Sequence, residues 1–256
     1  MVSGTASDTP PLFIIGCVRS GTTLVRDLLR RQPATICPEE THYFRFGEPF
    51  RTPAHSNATL KNATLKKHRE IDGIPEEQFI KLHAKARSKG ELLRAHVDYM
   101  ARARGLETYR WFDKTPQNVY GLPLIRAEFP NARFLHLVRN PLNVVASLKL
   151  GKVIKVTDIH AACNYWIEAV NIIQECAPTL GSDLLELRYE DITADPVSSV
   201  KTLLEFSKMG QDMKLYSAED THIERNQHLK ILSDAEREIV KNRCKKLAEA
   251  YGYELI

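Results

Sequence analysis

Short apolar runs, each followed by a turn and a helical pattern, recur along this chain. Residues 11–15 (PLFII) form a continuous apolar run that ends at Gly16, and positions 24, 25, 28 and 29 then carry Leu or Val at helical spacing. A second apolar run at 133–138 (RFLHLV) leads into Pro141 and an apolar stretch that reaches Leu150. Continuous runs of this length are typical of buried parallel strands. The pattern therefore predicts strand–turn–helix units of an α/β fold.

The remaining pattern predicts further helices around one sheet. A third strand is predicted over 183–188, followed by a helix from about Asp195 to Met209, and helical spacing covers 75–104, 157–176 and 233–251. The last of these begins with a capping-box pattern, Ser233 followed three residues later by Glu. Residues 48–73 are polar and interrupted by prolines, which predicts an irregular insertion or lid. We predict a single domain over 1–256, with residues 1–10 as a flexible N-terminus.

Composition narrows the function classes. Hydrophobic residues make up 43% and charged residues 27% of the 256 residues, which is typical of a globular protein. The net charge of +4 suits an anionic ligand but is too small to predict a nucleic-acid partner. Five scattered cysteines argue against a disulfide framework or a zinc site and favour a reducing compartment. With no apolar leader or spanning run, we expect a cytoplasmic protein without membrane contact, although a luminal domain separated from its anchor would show the same pattern.

A glycine loop (residues 16–23, GCVRSGTT) follows the first predicted strand. Gly16 and Gly21 have the spacing of the Walker A pattern, but Thr22 stands where an ATP or GTP enzyme has its lysine. Without that lysine, the loop loses the group that holds a triphosphate. What remains is a cradle of backbone N–H groups at a helix N-terminus, which suits a short dianionic or diphosphate-like group. The loop therefore predicts a phosphate site.

The segment from Phe13 to Leu24 (FIIGCVRSGTTL) resembles the 5′-phosphosulfate loop of sulfotransferases that use 3′-phosphoadenylyl sulfate (PAPS). The likeness is to the branch with protein-tyrosine, carbohydrate and bacterial enzymes. It implies PAPS as donor, its desulfated product PAP, a sulfotransferase fold and no metal. The residues that would hold the 5′-phosphate are Arg19, Ser20, Gly21, Thr22 and Thr23. Arg139 and Ser147, eight positions apart after the second strand, are similar to the family's 3′-phosphate motif.

Three further segments resemble the family with lower specificity. Tyr189, in RYED, is similar to a tyrosine that lies by the nucleotide. Lys114, in DKTP, resembles a lysine that faces the transferring sulfuryl group. Asn226, in IERN, matches a position where tyrosyl-protein sulfotransferases have a serine, and is expected to contact the nucleotide. Lys114 and Arg19 would stabilise the sulfuryl group and the leaving phosphate.

The general base is predicted to be Glu40. The segment PEETHYF (38–44) resembles the Glu-Glu-Thr motif of tyrosyl-protein sulfotransferases and follows the glycine loop at a similar distance. Aromatic residues nearby are expected to desolvate the carboxyl group and raise its pKa towards the working range of a base. Glu39 and His42 remain alternative bases.

These observations predict an enzyme that moves a sulfuryl group from PAPS to an acceptor hydroxyl or amine by in-line displacement. We expect a small-molecule acceptor, such as a secondary metabolite, contacted partly by residues 48–73. Sulfation of a carbohydrate or of a protein tyrosine is the alternative. A P-loop nucleotide kinase and a non-enzymatic PAP-binding protein are the rival functions. The oligomeric state is left open between monomer and homodimer.

Overall fold

The computed structural model describes residues 5–6, 8–152, 154–221 and 226–255. Its strands are β1 (Thr5–Ala6), β2 (Leu12–Ile15), β3 (Thr35–Ile36), β4 (Thr108–Lys114), β5 (Arg133–Val138) and β6 (Leu184–Arg188). They form a sheet with the order β1-β4-β2-β5-β6, in which β3 also pairs with β4. Each of these pairings is parallel. The carboxyl ends of the strands therefore lie at one edge of the sheet.

Helices cover both faces of this sheet. They are α1 (Thr22–Leu29), α2 (Pro53–Leu60), α3 (Ala63–Ile71), α4 (Glu76–Lys85), α5 (Lys89–Ala103), α6 (Leu122–Glu128), α7 (Pro141–Lys149), α8 (Ile159–Leu180), α9 (Tyr189–Ala194), α10 (Pro196–Ser207), α11 (His228–Ile231) and α12 (Asp234–Ala250). Leu12 and Ile14 of β2 pack into a cluster with α1 and α10. Phe13 and Ile15 pack into a second cluster with α5, α7, α8 and α12. Because side chains alternate across a strand, a strand covered on both faces is apolar at every position.

The predicted α/β fold with helices flanking a parallel sheet is confirmed. Strands β2, β5 and β6 lie where the apolar runs placed them, and α1, α7 and α10 follow them. The capping box is also present, since Ser233 and Glu236 satisfy each other's backbone N–H groups at the start of α12. The helical pattern over 75–104 divides into α4 and α5, with Ser88 capping the second helix.

The expectation that residues 48–73 are irregular is wrong. The segment contains α2 and α3, whose N-caps are Thr52 and Asn62; each side chain accepts a hydrogen bond from the backbone N–H three residues on. Arg69 of α3 is buried with its guanidinium 4.0 Å from the ring centroid of Phe79, which joins the segment to α4. Capping and one buried cation thus order a segment whose apolar content is low.

Three further observations concern membrane-spanning helices, the cysteines and the N-terminal residues. In the described part of the chain, no helix is both long enough and apolar enough to cross a membrane. The five cysteines are free thiols, and four of them are buried. Thr5 and Ala6, within the segment expected to be flexible, pair with Thr108 and Tyr109 of β4.

Candidate functional site

The glycine loop joins β2 to α1 through left-handed backbone. Gly21 has φ 91°, and a Cβ atom at this position would lie 2.2 Å from the ring of Tyr189, so the loop accepts no larger residue there. Arg19 also has a positive φ, 71°, which is rare outside glycine and clusters at functional sites. Gly21 is the N-cap of α1 and provides no side-chain cap. The first backbone N–H groups of α1 are thus left for a ligand or solvent, as at other anion-binding helix N-termini.

The second predicted phosphate element lies against the glycine loop. Arg19 Nε donates to Ser147 Oγ at 2.9 Å, and Arg139 Nη1 donates to the backbone oxygen of Arg19 at 3.1 Å. The Arg139 guanidinium lies 4.5 Å from the ring centroid of Tyr189. Asn140 caps α7, accepting from the backbone N–H of Leu142. Residues 120 or more positions apart in sequence therefore form one cationic wall.

Glu40 and Lys114 form an ion pair beside the loop. Lys114 Nζ donates to Glu40 Oε1, and His42 Nε2 lies 3.5 Å from Glu40 Oε2. The Lys114 side chain is 2% exposed and the Glu40 side chain 28%. Burial alone would raise the pKa of Glu40, but the hydrogen bonds and charges of His42 and Lys114 together lower it to about 2. The expectation of a raised pKa is therefore wrong, because the aromatic surroundings are outweighed by two polar partners.

The two alternative bases have different surroundings. Glu39 accepts from Arg26 Nη1 and from Arg30 Nη2, each at 3.0 Å, so its carboxylate is held by two guanidinium groups. His42 has a positive φ of 54° and lies beside Glu40. Its buried Nδ1 has no hydrogen-bond partner among the residues that the structure describes. Glu39 is thus engaged, whereas His42 keeps one ring nitrogen available.

A buried polar group at the end of β4 holds this pair in place, and the sequence analysis did not find it. Asp113 Oδ2 accepts from Thr41 Oγ1 at 2.7 Å, and Asp113 Oδ1 accepts from Asn118 Nδ2 at 3.0 Å. The backbone N–H of Thr41 donates to Thr115 Oγ1 at 2.9 Å. Burial raises the pKa of Asp113. Thr41, which follows Glu40, and Asp113 and Thr115, which flank Lys114, are therefore fixed by hydrogen bonds. Because β4 was not predicted, the signal in the sequence was only an acidic residue directly before Lys114.

A cavity of about 590 Å³ contains most of the predicted site. This volume lies within the range of small-molecule and cofactor pockets. The predicted site residues that line it are Arg19, Gly21, Thr22, Thr23, Glu40, Lys114, Arg139 and Ser147. Much of the remaining wall comes from the segment after β3 and from α3, and includes Arg45, Phe46, Leu65 and His68.

Three predicted site residues lie outside that lining. Ser20 is buried beneath the loop, and its Oγ has no hydrogen-bond partner in the described part of the chain. Tyr189 contacts the loop from behind at Gly21. Asn226 is exposed, and residues 222–225, which belong to the segment that suggested it, lie outside the described residues. Within the described ranges, no cluster of three or more His, Cys, Asp or Glu side chains could hold a metal ion.

Strand order sets the layout of the site. Because the strands are parallel, each delivers its next residues to the same edge of the sheet. In the order β3-β4-β2-β5-β6, these are Glu40, Lys114, the glycine loop, Arg139 and Tyr189. The Glu40–Lys114 ion pair thus lies at one end of the row, and the contact between Arg139 and Tyr189 at the other.

Several known proteins are similar to this chain in sequence or in fold. Protein-tyrosine sulfotransferase A of Caenorhabditis elegans is 24% identical over 216 residues, which cover 81% of this chain and 52% of that protein. The chain therefore spans about half the length of such curated relatives. An omega-hydroxy-beta-dihydromenaquinone-9 sulfotransferase of Mycobacterium tuberculosis is 22% identical over 305 residues, which cover 99% of this chain and 78% of that protein.

A solved structure has a similar fold, and a family model matches most of this chain. The sulfotransferase domain from the Synechococcus PCC 7002 olefin synthase superposes with a TM-score of 0.70 and 20% identity, covering 100% of this chain and 99% of that one. At this identity the likeness shows the fold. The model of the "Sulfotransferase family" matches residues 10–212, which include the glycine loop, Glu40, Lys114 and Arg139. The family predicted from the phosphate motifs is confirmed: this chain belongs to the sulfotransferase family.

Proposed function

We propose that this chain transfers a sulfuryl group from PAPS to an acceptor hydroxyl by in-line displacement, with Glu40 as general base. One observation carries the proposal: both predicted phosphate elements line the same cavity as the Glu40–Lys114 pair. The hydrogen bond from Arg19 Nε to Ser147 Oγ joins the two elements directly. A cavity in which both phosphate elements form one cationic wall suits a donor that carries two phosphate groups better than a single phosphate ester.

The residues present fit such a donor. The N-terminus of α1 has no side-chain cap, and Thr22 lines the cavity where a triphosphate enzyme would present a lysine. A Cβ atom at position 21 would lie 2.2 Å from the ring of Tyr189, so the glycine allows this tyrosine to pack against the loop. When bound, PAPS would supply the activated sulfuryl group. The 5′-phosphate would be held at Thr22 and Thr23, and the 3′-phosphate at Arg139 and Ser147.

The chain's own residues then have three tasks, which are to accept the acceptor's proton, to stabilise charge on the sulfuryl oxygens and to neutralise the leaving phosphate. Glu40 would perform the first. Lys114 would perform the second, since its ammonium group is buried at the carboxyl end of β4 and needs no reorganisation of water. Arg19, which belongs to the loop and contacts Ser147, would perform the third.

Glu40 can act as a base only after its ion pair opens. A carboxylate with a pKa of about 2 is a poor proton acceptor at neutral pH. Lys114 would leave Glu40 when an anionic donor enters, because the donor offers the ammonium group a stronger partner. Burial has the largest influence on Glu40, so the loss of Lys114 raises its pKa. On this reasoning the base is activated only when the donor is in place.

His42 is the alternative base. It lies 3.5 Å from Glu40 and keeps its buried Nδ1 without a partner in the described ranges, so it could relay or accept the proton. Glu39 is the weaker candidate because Arg26 and Arg30 hold its carboxylate.

The acceptor is proposed to be a small molecule with a hydroxyl group. Beyond Glu40 the cavity is lined by Arg45, Phe46, Leu65 and His68, a mixed wall of cationic, aromatic and aliphatic groups. The relatives named above act on a protein tyrosine and on a hydroxylated menaquinone, both of which present a hydroxyl group. A protein tyrosine or a carbohydrate is therefore the second acceptor class to test.

The proposed location is a reducing compartment such as the cytoplasm. The five free thiols support this, because such a compartment keeps thiols reduced. Recovery of a tagged chain from cells with its cysteines oxidised would argue against it.

Calorimetry and turnover test the proposed function. We expect PAP to bind at least ~100-fold more tightly than ATP or ADP, a difference of about 3 kcal/mol. Tighter binding of ATP would favour the kinase alternative. Acceptors are then screened with PAPS (a phenol panel, a tyrosine peptide and simple sugars) by PAP release and mass shift. PAP binding without any PAP release would favour the non-enzymatic alternative.

The base is tested by comparing Glu40→Gln with Glu205→Gln, a matched change on the exposed surface of α10. We expect the first variant to lose about 100-fold or more of its kcat, the range of general base catalysis, and to bind PAP normally. The second should match the wild type. Retained kcat in Glu40→Gln would move the base to His42.

A further inference from the structure

Helix α3 and its C-cap residue bind two backbone groups of the segment that carries the proposed base. His68 Nδ1 donates to the backbone oxygen of Glu40 at 2.8 Å. Asp72 accepts from the backbone N–H of Glu39 through both carboxylate oxygens, at 2.9 and 3.1 Å. His68 and Asp72 are four residues apart, one helical turn, so they lie on the same side of the helix. Side chains on one side of the helix therefore hold the Glu39–Glu40 backbone by hydrogen bonds at two points.

Asp72 is in turn anchored by a buried chain of hydrogen bonds. Its Oδ2 lies 3.0 Å from His96 Nε2, and His96 Nδ1 lies 2.8 Å from the hydroxyl of Tyr43. Burial raises the pKa of Tyr43 well above its usual value, so the hydroxyl keeps its proton and can donate. With the Tyr43 hydroxyl as donor to Nδ1, the Nε2–H of His96 donates to Asp72. All three side chains are buried, so breaking one of these hydrogen bonds would leave a buried polar group without a partner, which destabilises the folded state.

The same helix also faces the cavity. Thr64, Leu65 and His68 line it, together with the N-cap residue Asn62. These residues lie on the side proposed to receive the acceptor, because the glycine loop and Arg139 occupy the other side. Helix α3 thus touches both the acceptor space and the backbone of the base.

From this geometry we infer that His68 and Asp72 are positioning residues for Glu40, and that α3 couples acceptor contact to the placement of the base. The inference rests on the proposed function of Glu40. Its physical basis is that reaction rates depend steeply on the position of a catalytic group, so that a misplacement of about 1 Å can cost about 100-fold. Neither residue needs to touch the reacting atoms for this effect.

Turnover of matched variants tests the inference. His68→Ala removes the donor to Glu40, whereas His68→Asn places an amide N–H close to the position of Nδ1. Lys67→Ala, on the exposed side of the same helix, is the control. With PAPS and 4-nitrophenol as probes, we expect His68→Ala to lower kcat about 10- to 100-fold, with the Kd for PAP changed less than about twofold. His68→Asn should recover most of that loss, and Lys67→Ala should match the wild type.

Amide hydrogen exchange gives a second readout that needs no acceptor. In His68→Ala and Asp72→Asn, we expect residues 37–44 to exchange about 10-fold faster than in the wild type, while residues 16–23 do not change. Circular dichroism checks that both variants fold. Unchanged kcat and unchanged exchange in folded variants would overturn the inference, as would equal losses in His68→Ala and His68→Asn with weakened PAP binding. A wild type that neither binds PAP nor releases it from PAPS would instead refute the proposed function. The exchange comparison would still test whether His68 and Asp72 hold the Glu39–Glu40 backbone.

Discussion

Replacing Lys114 with methionine removes the positive charge beside Glu40 and keeps a side chain of similar length. In the wild type, His42 and Lys114 lower the pKa of Glu40 from 4.5 to about 2. At 1.36 kcal/mol for each tenfold change in proton affinity, this fall corresponds to about 3 kcal/mol of native-state stability. Because His42 supplies part of it and remains in the variant, we expect Lys114→Met to lose about 1–3 kcal/mol at pH 7.

The loss should depend on pH in a defined direction. The pKa of Glu40 is lowered in the folded state, so its ion pair stabilises the protein fully above the unfolded pKa of 4.5. That stabilisation disappears as the pH falls towards 2, where folded Glu40 also takes up a proton. The difference between wild type and Lys114→Met should therefore be largest near neutral pH and shrink below pH ~4.5.

Urea unfolding at pH ~7.5, ~5 and ~4 measures this difference, for the wild type, Lys114→Met, Glu40→Gln and the double variant. The double variant should recover most of the stability lost in Lys114→Met, because it leaves no unpaired buried charge. A free energy of unfolding in Lys114→Met equal to that of the wild type at pH ~7.5 would refute the reasoning. A deficit that stays constant from pH ~7.5 to ~4 would refute it as well.

Two further variants test the donor site. Arg139→Ala should raise the KM for PAPS about 10- to 100-fold, as expected from losing about 1.5–3 kcal/mol of a charge-assisted contact. Arg104→Ala, at an exposed residue, is the control and should leave the KM unchanged. An unchanged KM in Arg139→Ala would remove this residue from the proposed 3′-phosphate site. Gly21→Ala should weaken PAP binding more than about 10-fold. Its new methyl group would lie 2.2 Å from a tyrosine ring at a residue with positive φ. Gly47→Ala, which has no neighbouring atom within 4 Å, is the control, and equal PAP affinity of the two variants would contradict the tight loop geometry.

The apolar runs predicted three of the strands but not β4, which pairs with β1, β2 and β3. The sequence of β4, TYRWFDK, contains three charged residues and therefore breaks the continuous apolar pattern of a buried strand. Two of them, Asp113 and Lys114, are buried at its end and are satisfied by Thr41 and Glu40, which come from another part of the chain. A strand that carries site residues loses the very pattern by which strands are recognised.

The site divides in the same way. The prediction of the two phosphate elements depends on local signals, a glycine turn and an arginine after a strand. Arg19 and Arg139 could therefore be predicted from the sequence alone. The pKa of Glu40 depends on Lys114, 74 positions away, and on how far its charge and that of His42 offset the effect of burial, which no local pattern encodes. For the same reason, the hydrogen bonds from His68 and Asp72 to the Glu39–Glu40 backbone could not be predicted from residues 48–73 alone.

The order of the strands explains why one cavity can separate donor from acceptor. Strands β2 and β5 are neighbours, so the glycine loop and Arg139 must lie side by side, which is what a donor with two phosphate groups requires. Strand β4 flanks β2 on the other side and delivers Lys114, and β3 beyond it delivers Glu40. A group that is transferred from the loop towards Glu40 therefore passes Lys114. On the proposed mechanism we expect the acceptor to approach from the β3 side, where α3 contributes to the wall. The proposed coupling between acceptor and base would then lie in a part of the cavity that donor binding leaves open.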